Sequence, residues 1–160
     1  MIATVIMGIL AASVIPTLEQ NTRAQHAAAR DEVARLTRYA RARAVAGGTP
    51  VGVGINAPDS TIDIRVLDGT GAVVTLADPI DGTPMSSALG ELFGGARITG
   101  FVNGDGDTAT GVAWFDHRGE PHTRTDAGDY DAPFSANAVI TVEAEHEIVI
   151  HAYSGMVEVR

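Results

Sequence analysis

Residues 1–48 read MIATVIMGILAASVIPTLEQNTRAQHAAARDEVARLTRYARARAVAGG, and the change of character along this stretch decides the fold. Met1 to Leu18 carries no charged residue. As a helix rising 1.5 Å per residue it spans about 27 Å, near the ~30 Å hydrocarbon core of a bilayer. Length alone leaves two readings open, a membrane helix and the apolar centre of a signal peptide. A signal wants a basic stretch ahead of the apolar run, which is missing here, and Ala11-Ala12-Ser13 makes only a weak cleavage site. The helical pattern also runs on past it. From Glu19 to Ala46 there is no glycine or proline, and alanine, arginine, leucine and glutamate dominate, all good helix formers. Leu18, Ala29, Val33, Leu36 and Ala40 fall within about 60° on a helical wheel, and Arg23, Arg30, Arg38 and Arg41 within about 80° on another face. Arg43 lies nearer the apolar stripe. Gly47-Gly48 then ends the helix.

The expected object is one helix of about 45 residues and 65–70 Å, apolar all round at its start and amphipathic afterwards. Pro16 lies inside it, where a membrane segment tolerates the lost hydrogen bond if neighbours satisfy the freed carbonyl. Gly8 and Ala12 have the small-xxx-small spacing of close helix contacts, although an alanine-rich run gives that spacing by chance as well.

Past Pro50 the hydrophobic period becomes two. Expected strands are Val51–Asn56, Thr61–Leu67, Ala72–Leu76, Arg97–Val102, Gly111–Asp116, Ala138–Ala144, Glu147–Ala152 and Met156–Arg160. Asp68-Gly69, Asp81-Gly82, Asn103-Gly104, Asp105-Gly106 and Ser154-Gly155 supply turns. Ser86–Gly95 reads as a helical turn or a strand. Asp116–Asn137 is polar and reads as a long surface loop. The fold class is therefore α+β, a long N-terminal helix packed against an antiparallel sheet head. Its divisions are an apolar stem at 1–18, an amphipathic continuation at 19–46 and a β-rich head at 47–160.

Charge follows the same division. The protein has a net charge of -9 and no cysteine, so disulfide and thiolate chemistry are excluded. Residues 1–46 hold six arginines against three acids, and residues 47–160 five arginines against 17 acids. A head at -12 repels phosphate, which makes nucleic acid an unlikely partner despite the arginine face of the helix. That face instead suits acidic heads or stems of adjacent subunits.

Site motifs are sparse. Asn103, Asp105 and Asp107 have the every-second-residue spacing of a calcium loop, but Thr108 stands where glycine belongs and Trp114 where glutamate belongs. The incomplete motif reads first as an acidic turn. His117 and His122, with Asp116 and Glu120 nearby, match no zinc spacing and read as a solvated loop. His146 and His151 read as surface or edge residues of strands. The sequence has no G-x-S-x-G, no cysteine nucleophile, no H-E-x-x-H and no P-loop or dinucleotide fingerprint. We expect no catalytic residue and no cofactor.

The opening MIATVIMGILAASVIPTLEQ, with Pro16, resembles the apolar stem of type IV pilins and pseudopilins. ARDEVARLTRYARARAVAGGTPVGVGIN resembles the minor pseudopilins of the type II secretion system and related minor pilins. In these an arginine-rich helix end feeds the first strand, matched by Leu36, Ala40, Arg41, Ala44, Gly48, Pro50 and Val51. GVAWFDHRGEP resembles the family's F-x-x-x-G strand and turn through Phe115 and Gly119, and EIVIHAYSGMVEV its final hairpin, with Gly155 at the turn. Residues 57–110 carry no likeness. The family's basic leader, cleaved glycine, phenylalanine and glutamate do not occur. The sequence opens about six residues into the mature pattern, and six more would lengthen the apolar helix to about 36 Å.

The resemblance implies a structural minor pseudopilin or pilin, not an enzyme. It would be a single-pass protein of the bacterial inner membrane with its head in the periplasm, its partners being other pilin or pseudopilin subunits and the inner-membrane assembly platform. Ile2, Val5, Ile6, Ile9, Leu10, Val14, Ile15 and Pro16 would carry stem assembly, and Val33, Leu36 and Ala40 would dock the head. Gly48, Pro50, Gly119 and Gly155 are the family-like turns. Two other readings stand beside it: a type IV pilus minor pilin in adhesion or DNA uptake, and a secreted soluble binding domain with a cleaved signal.

Overall fold

A computed structural model of the protein describes the backbone of residues 2–104, 106–108 and 110–160, and side chains from Gln20 onward except at 105 and 107–109. One helix, α1, runs from Ile2 to Gly47. It ends where Gly48 turns to φ +66° and its N–H donates to the Ala44 carbonyl at 3.0 Å, a left-handed cap that only glycine adopts without cost. Pro50, just past the cap, prevents the helix from resuming and starts the backbone into the sheet.

Twelve strands follow among the described residues: β1 Val51–Asn56, β2 Thr61–Leu67, β3 Val73–Thr75, β4 Ser86–Ala88, β5 Ile98–Asn103, β6 Gly106–Thr108, β7 Thr110–Phe115, β8 Pro121–Arg124, β9 Tyr130–Pro133, β10 Ala138–Val142, β11 His146–Ile150 and β12 Val157–Val159, with a one-turn helix α2 at Leu89–Leu92. They form two antiparallel sheets. The first has the order β3-β2-β1-β7-β8-β9, with β4 also on β2, and the second β12-β11-β10-β5-β6. The backbone leaves the first sheet for β5 and β6, returns to it with β7, and finishes the second with β10 to β12.

The alternation of the strands decides what α1 covers. In β1 the pattern Val-Gly-Val-Gly-Ile turns Val51, Val53 and Ile55 to one face, and their register partners Ile64 and Ile62 on β2 and Ala113 and Phe115 on β7 share it. On α1 the buried apolar positions are Ala29, Val33, Ala34, Leu36, Ala40 and Ala44, on one side at helical spacing. Stripe and sheet face join Phe101, Ile140, Ile148 and Ile150 of the second sheet in a single core. Each large aliphatic side chain so buried contributes about 1.5–3 kcal/mol against exposure. Alanines along the stripe let the helix lie close to both sheets. Thr37 is also fully buried, and satisfies its hydroxyl on the Val33 carbonyl of its own helix at 2.8 Å.

One sequence expectation is overturned and others are refined. Asp116–Asn137 is not a surface loop: it contains β8 and β9, and Pro121, His122 and Phe134 are buried. Its strands are only four residues long and show no inside–outside alternation, so they give no period-two signal. Ser86–Gly95 is both of the alternatives, a strand and then a turn of helix. The turn signals at 103–106 lie within a hairpin whose second strand, β6, carries no hydrophobic pattern. The expected strands at Ala72–Leu76 and Met156–Arg160 lose one residue at each end and Ala138–Ala144 loses two at its end, whereas those at Arg97–Val102, Gly111–Asp116 and Glu147–Ala152 are shifted by one or two residues.

Candidate functional site

The chemistry of this molecule concentrates where α1 meets the head. Arg41 lies one turn before the end of the buried stripe, at the edge of the helix. Its Nη2 donates to the Ser154 carbonyl at 3.0 Å and its Nε to the Gly119 carbonyl at 3.3 Å. Both acceptors stand in tight turns. Asp116 shapes the first: its Oδ1 accepts the N–H of Arg118 at 2.8 Å and of Glu120 at 2.9 Å, and Gly119 closes the turn at φ +80°. The second joins β11 to β12, with the Gly155 N–H on the His151 carbonyl at 2.8 Å and Gly155 at φ +61°. A Cβ on Gly155 would collide with the Gly119 carbonyl oxygen, and one on Gly119 would press on Arg41 Nε at 3.0 Å. Three positions far apart in sequence thus converge on one point.

A second tether lies two and a half turns earlier. Glu32 accepts from Ser87 Oγ of β4 at 2.9 Å and from Arg35 Nε and Nη2 at 2.7 and 2.8 Å. The Arg35 hydrogen bonds, opposed by partial burial and helped by Ser87, hold Glu32 below the ordinary glutamate range, and Glu32 raises Arg35 in return. Arg38 reaches the Val157 carbonyl at 3.4 Å, Arg30 pairs with its neighbour Asp31 at 2.8 Å, and Arg23 is exposed. So part of the arginine face, expected to meet adjacent subunits, holds the protein's own head through backbone carbonyls.

The remaining expected site residues fall as follows. Val33, Leu36 and Ala40 are buried in the seam. Ile2, Val5, Ile6, Ile9, Leu10, Val14, Ile15 and Pro16 are on α1, with their side chains outside the described residues. Asn103 ends β5, half-buried, whereas Asp105 and the Asp107 side chain lie outside the described residues, and with them the calcium motif. Among the described residues no three histidine or carboxylate groups are placed to hold a metal. His117 is exposed, but His122 is not the solvated side chain expected: it is 3% accessible, pairs with Trp114 across β7–β8, and stacks on Tyr130 at 5.2 Å between centroids. Burial foremost, then the nearby Arg124 charge, pushes its imidazole below the ordinary value. His151 bonds Glu158 at 3.0 Å on the C-terminal hairpin.

Sequence reading alone missed the Glu32–Ser87 tether, because nothing local marks a serine 55 positions away as a partner. It had Arg41, Gly119 and Gly155 in view as separate motifs, without the contact that joins them.

A long helix whose apolar stripe docks under two antiparallel sheets defines the pilin-like α+β class. Within it, the protein matches the solved structure of the minor pseudopilin EpsH from the type 2 secretion system of Vibrio cholerae, with a TM-score of 0.57 at 12% identity over 85% of this chain and 96% of that one. At that identity the likeness is one of fold. No family model matches the sequence, and no curated protein does. Among the described residues no helix is long and apolar enough to cross a membrane.

Proposed function

We propose that the protein is a structural minor pseudopilin of a type II secretion system, anchored in the bacterial inner membrane by residues 1–18 with its head in the periplasm. The observation that carries this is the continuity of α1: one helix leads from an uncharged stretch into the seam under a pseudopilin-like head. Packing is its chemistry. The stem residues Ile2, Val5, Ile6, Ile9, Leu10, Val14 and Ile15 would pass from lipid into contact with other stems, and the docked head would move as one body with them. Its partners would be other pseudopilins and the assembly platform, and its role would not be catalytic. The acidic head favours this over DNA uptake.

The protein has no cysteine, so Ile9→Cys supplies a single site for crosslinking in the native bacterium. The expected result is recovery in the inner-membrane fraction, crosslinks to pilin-like subunits, and a defect in secreted proteins when the gene is deleted. A soluble protein without crosslinks, or deletion that abolishes pili and spares secretion, overturns the reading.

A further inference from the structure

Ile80 is the most exposed large hydrophobic side chain of the described residues, at 93% accessible. It tips a hairpin that leaves the first sheet. β3 and β4 both run along the outer edge of β2, and between them Leu76 and Met85 meet at Ile64. The Ile64 N–H donates to the Met85 carbonyl at 2.9 Å, and the Ile64 carbonyl accepts from the Leu76 N–H at 2.7 Å. Residues 77–84 project from that edge, and their own hydrogen bonds set their shape. The Asp78 N–H donates to the Thr83 carbonyl at 2.7 Å, and Asp78 Oδ1 accepts the Ile80 N–H at 2.7 Å. Asp81 Oδ1 accepts the Thr83 N–H at 2.9 Å and the Thr83 hydroxyl at 2.7 Å, which holds its carboxyl below the usual range. The molecule thus holds out one apolar side chain between two carboxylates. Because the tip is already ordered, seating it on a partner costs little entropy.

A single exposed isoleucine is ordinary. This one has a counterpart elsewhere on the molecule. Where α1 meets the head, Val45, Tyr153 and Met156 are exposed around the Gly119–Gly155 contact, Tyr153 at 85%. Arg38, Arg41 and Arg118 lie beside them. Arg38 and Arg41 donate to backbone carbonyls, which leave their charge uncompensated. Among the described residues Arg118 has no carboxylate partner, whereas Arg30, Arg35, Arg65 and Arg160 each have one. The acids of the same turn are Glu120 and Asp116, and Asp116 is occupied by the turn's own N–H groups. The surface is therefore apolar and cationic on a head that carries -12, with the tyrosine, methionine and arginine that are enriched where protein surfaces meet.

We infer that the Ile80 hairpin of one molecule seats on this surface of a second copy, Ile80 against Tyr153 and Met156, with Asp78 and Asp81 facing the arginines. The contact is head-to-tail. β2 and β7 lie about 10 Å apart across β1, and the hairpin stands on the far side of β2, so no molecule fills its own surface. Each contact leaves one free hairpin and one free surface, and so it propagates. Charge fixes the orientation, because other approaches bring acidic surfaces together. The inference is read from the head alone and stands whether or not residues 1–18 anchor the protein.

The sequence has no cysteine, and Pro79 and Ser154 are exposed beside the two halves of the contact. Full-length Pro79→Cys and Ser154→Cys proteins, one of them carrying a size tag, are mixed in equal amounts in mild detergent and oxidised. Expected is a mixed disulfide dimer in excess of the half that random pairing gives. Ile80→Ser in the first protein or Arg118→Glu in the second changes only an exposed side chain, and each is expected to lower the mixed dimer about fivefold or more. A protein with both cysteines is expected to give a ladder of multimers. Random pairing, an excess of either symmetric dimer, a ladder that stops at the dimer, or a mixed-dimer yield that neither substitution lowers overturns the inference. So does a Pro79→Cys protein that crosslinks in the native bacterium only to other proteins, which would assign the hairpin to a different partner.

Discussion

Gly155 shows how much a single backbone position holds. It needs a left-handed φ, which costs a residue with a side chain about 1–2 kcal/mol, and it also needs the space that a methyl group would take from the Gly119 carbonyl. Gly48 has nearly the same φ, at +66°, but nothing within 4 Å of the position of a Cβ. The pair separates conformation from crowding. Gly48→Ala is expected to cost about 1–2 kcal/mol, the backbone term alone. Gly155→Ala is expected to cost at least about 1 kcal/mol more, because the two turns must part and Arg41 must give up a carbonyl. Urea denaturation of both variants measures the difference, and equal losses would remove the argument that the turns are locked together.

At the scale of elements, α1 is held to the head by an apolar seam with a polar tether on β4. The pH dependence of that tether has a definite sign. The folded state keeps Glu32 ionised below the value of about 4.3 that the unfolded state shows, so its contribution is full above that pH and is lost as pH falls through the depressed folded value. Glu32→Gln is therefore expected to cost about 1 kcal/mol near pH 7, part of the Arg35 pairing being screened at the surface, and to lose less further stability than the unaltered protein between pH 5 and 3. Melting curves across that range test it; parallel pH profiles for the two proteins would mean that the tether carries no stability.

The elements themselves were unequally legible. The helix could be read from Leu18 to Gly48 because one periodicity runs unbroken and glycine and proline stop it. β1, β2 and β10 could be read because alternation persists for five to seven residues, and β11 because its apolar run Ile148–Ile150 is bounded by turn residues. β8 and β9 could not, since His122 and Arg124 are polar letters whose burial depends on Trp114, a neighbour across the sheet. The junction lay between these extremes: its three residues were conspicuous, but the contact of Gly119 with Gly155 is a property of the tertiary fold.

For the molecule as a whole, the question is what the first eighteen residues do for the head. The buried core of the described residues begins at Ala29, and along a helix Leu18 lies about 16 Å before it. Among the described residues, the seam, both tethers and all the sheet pairings belong to residues from Ala29 onward. If stem and head are separate in energy as well as in charge, removing the stem should leave the head's stability nearly intact while changing where the protein resides. A protein starting at Gln20 is expected to unfold cooperatively with a midpoint within about 4 °C of the full-length one, equivalent to about 1 kcal/mol for a domain of this size. The same truncation is expected to leave the detergent phase for the aqueous one in a two-phase partition. Loss of the cooperative transition on truncation would mean that the apolar stretch completes the head's own core. The filament reading would then lose its footing, because a stretch committed to its own globule has no surface left for neighbouring stems.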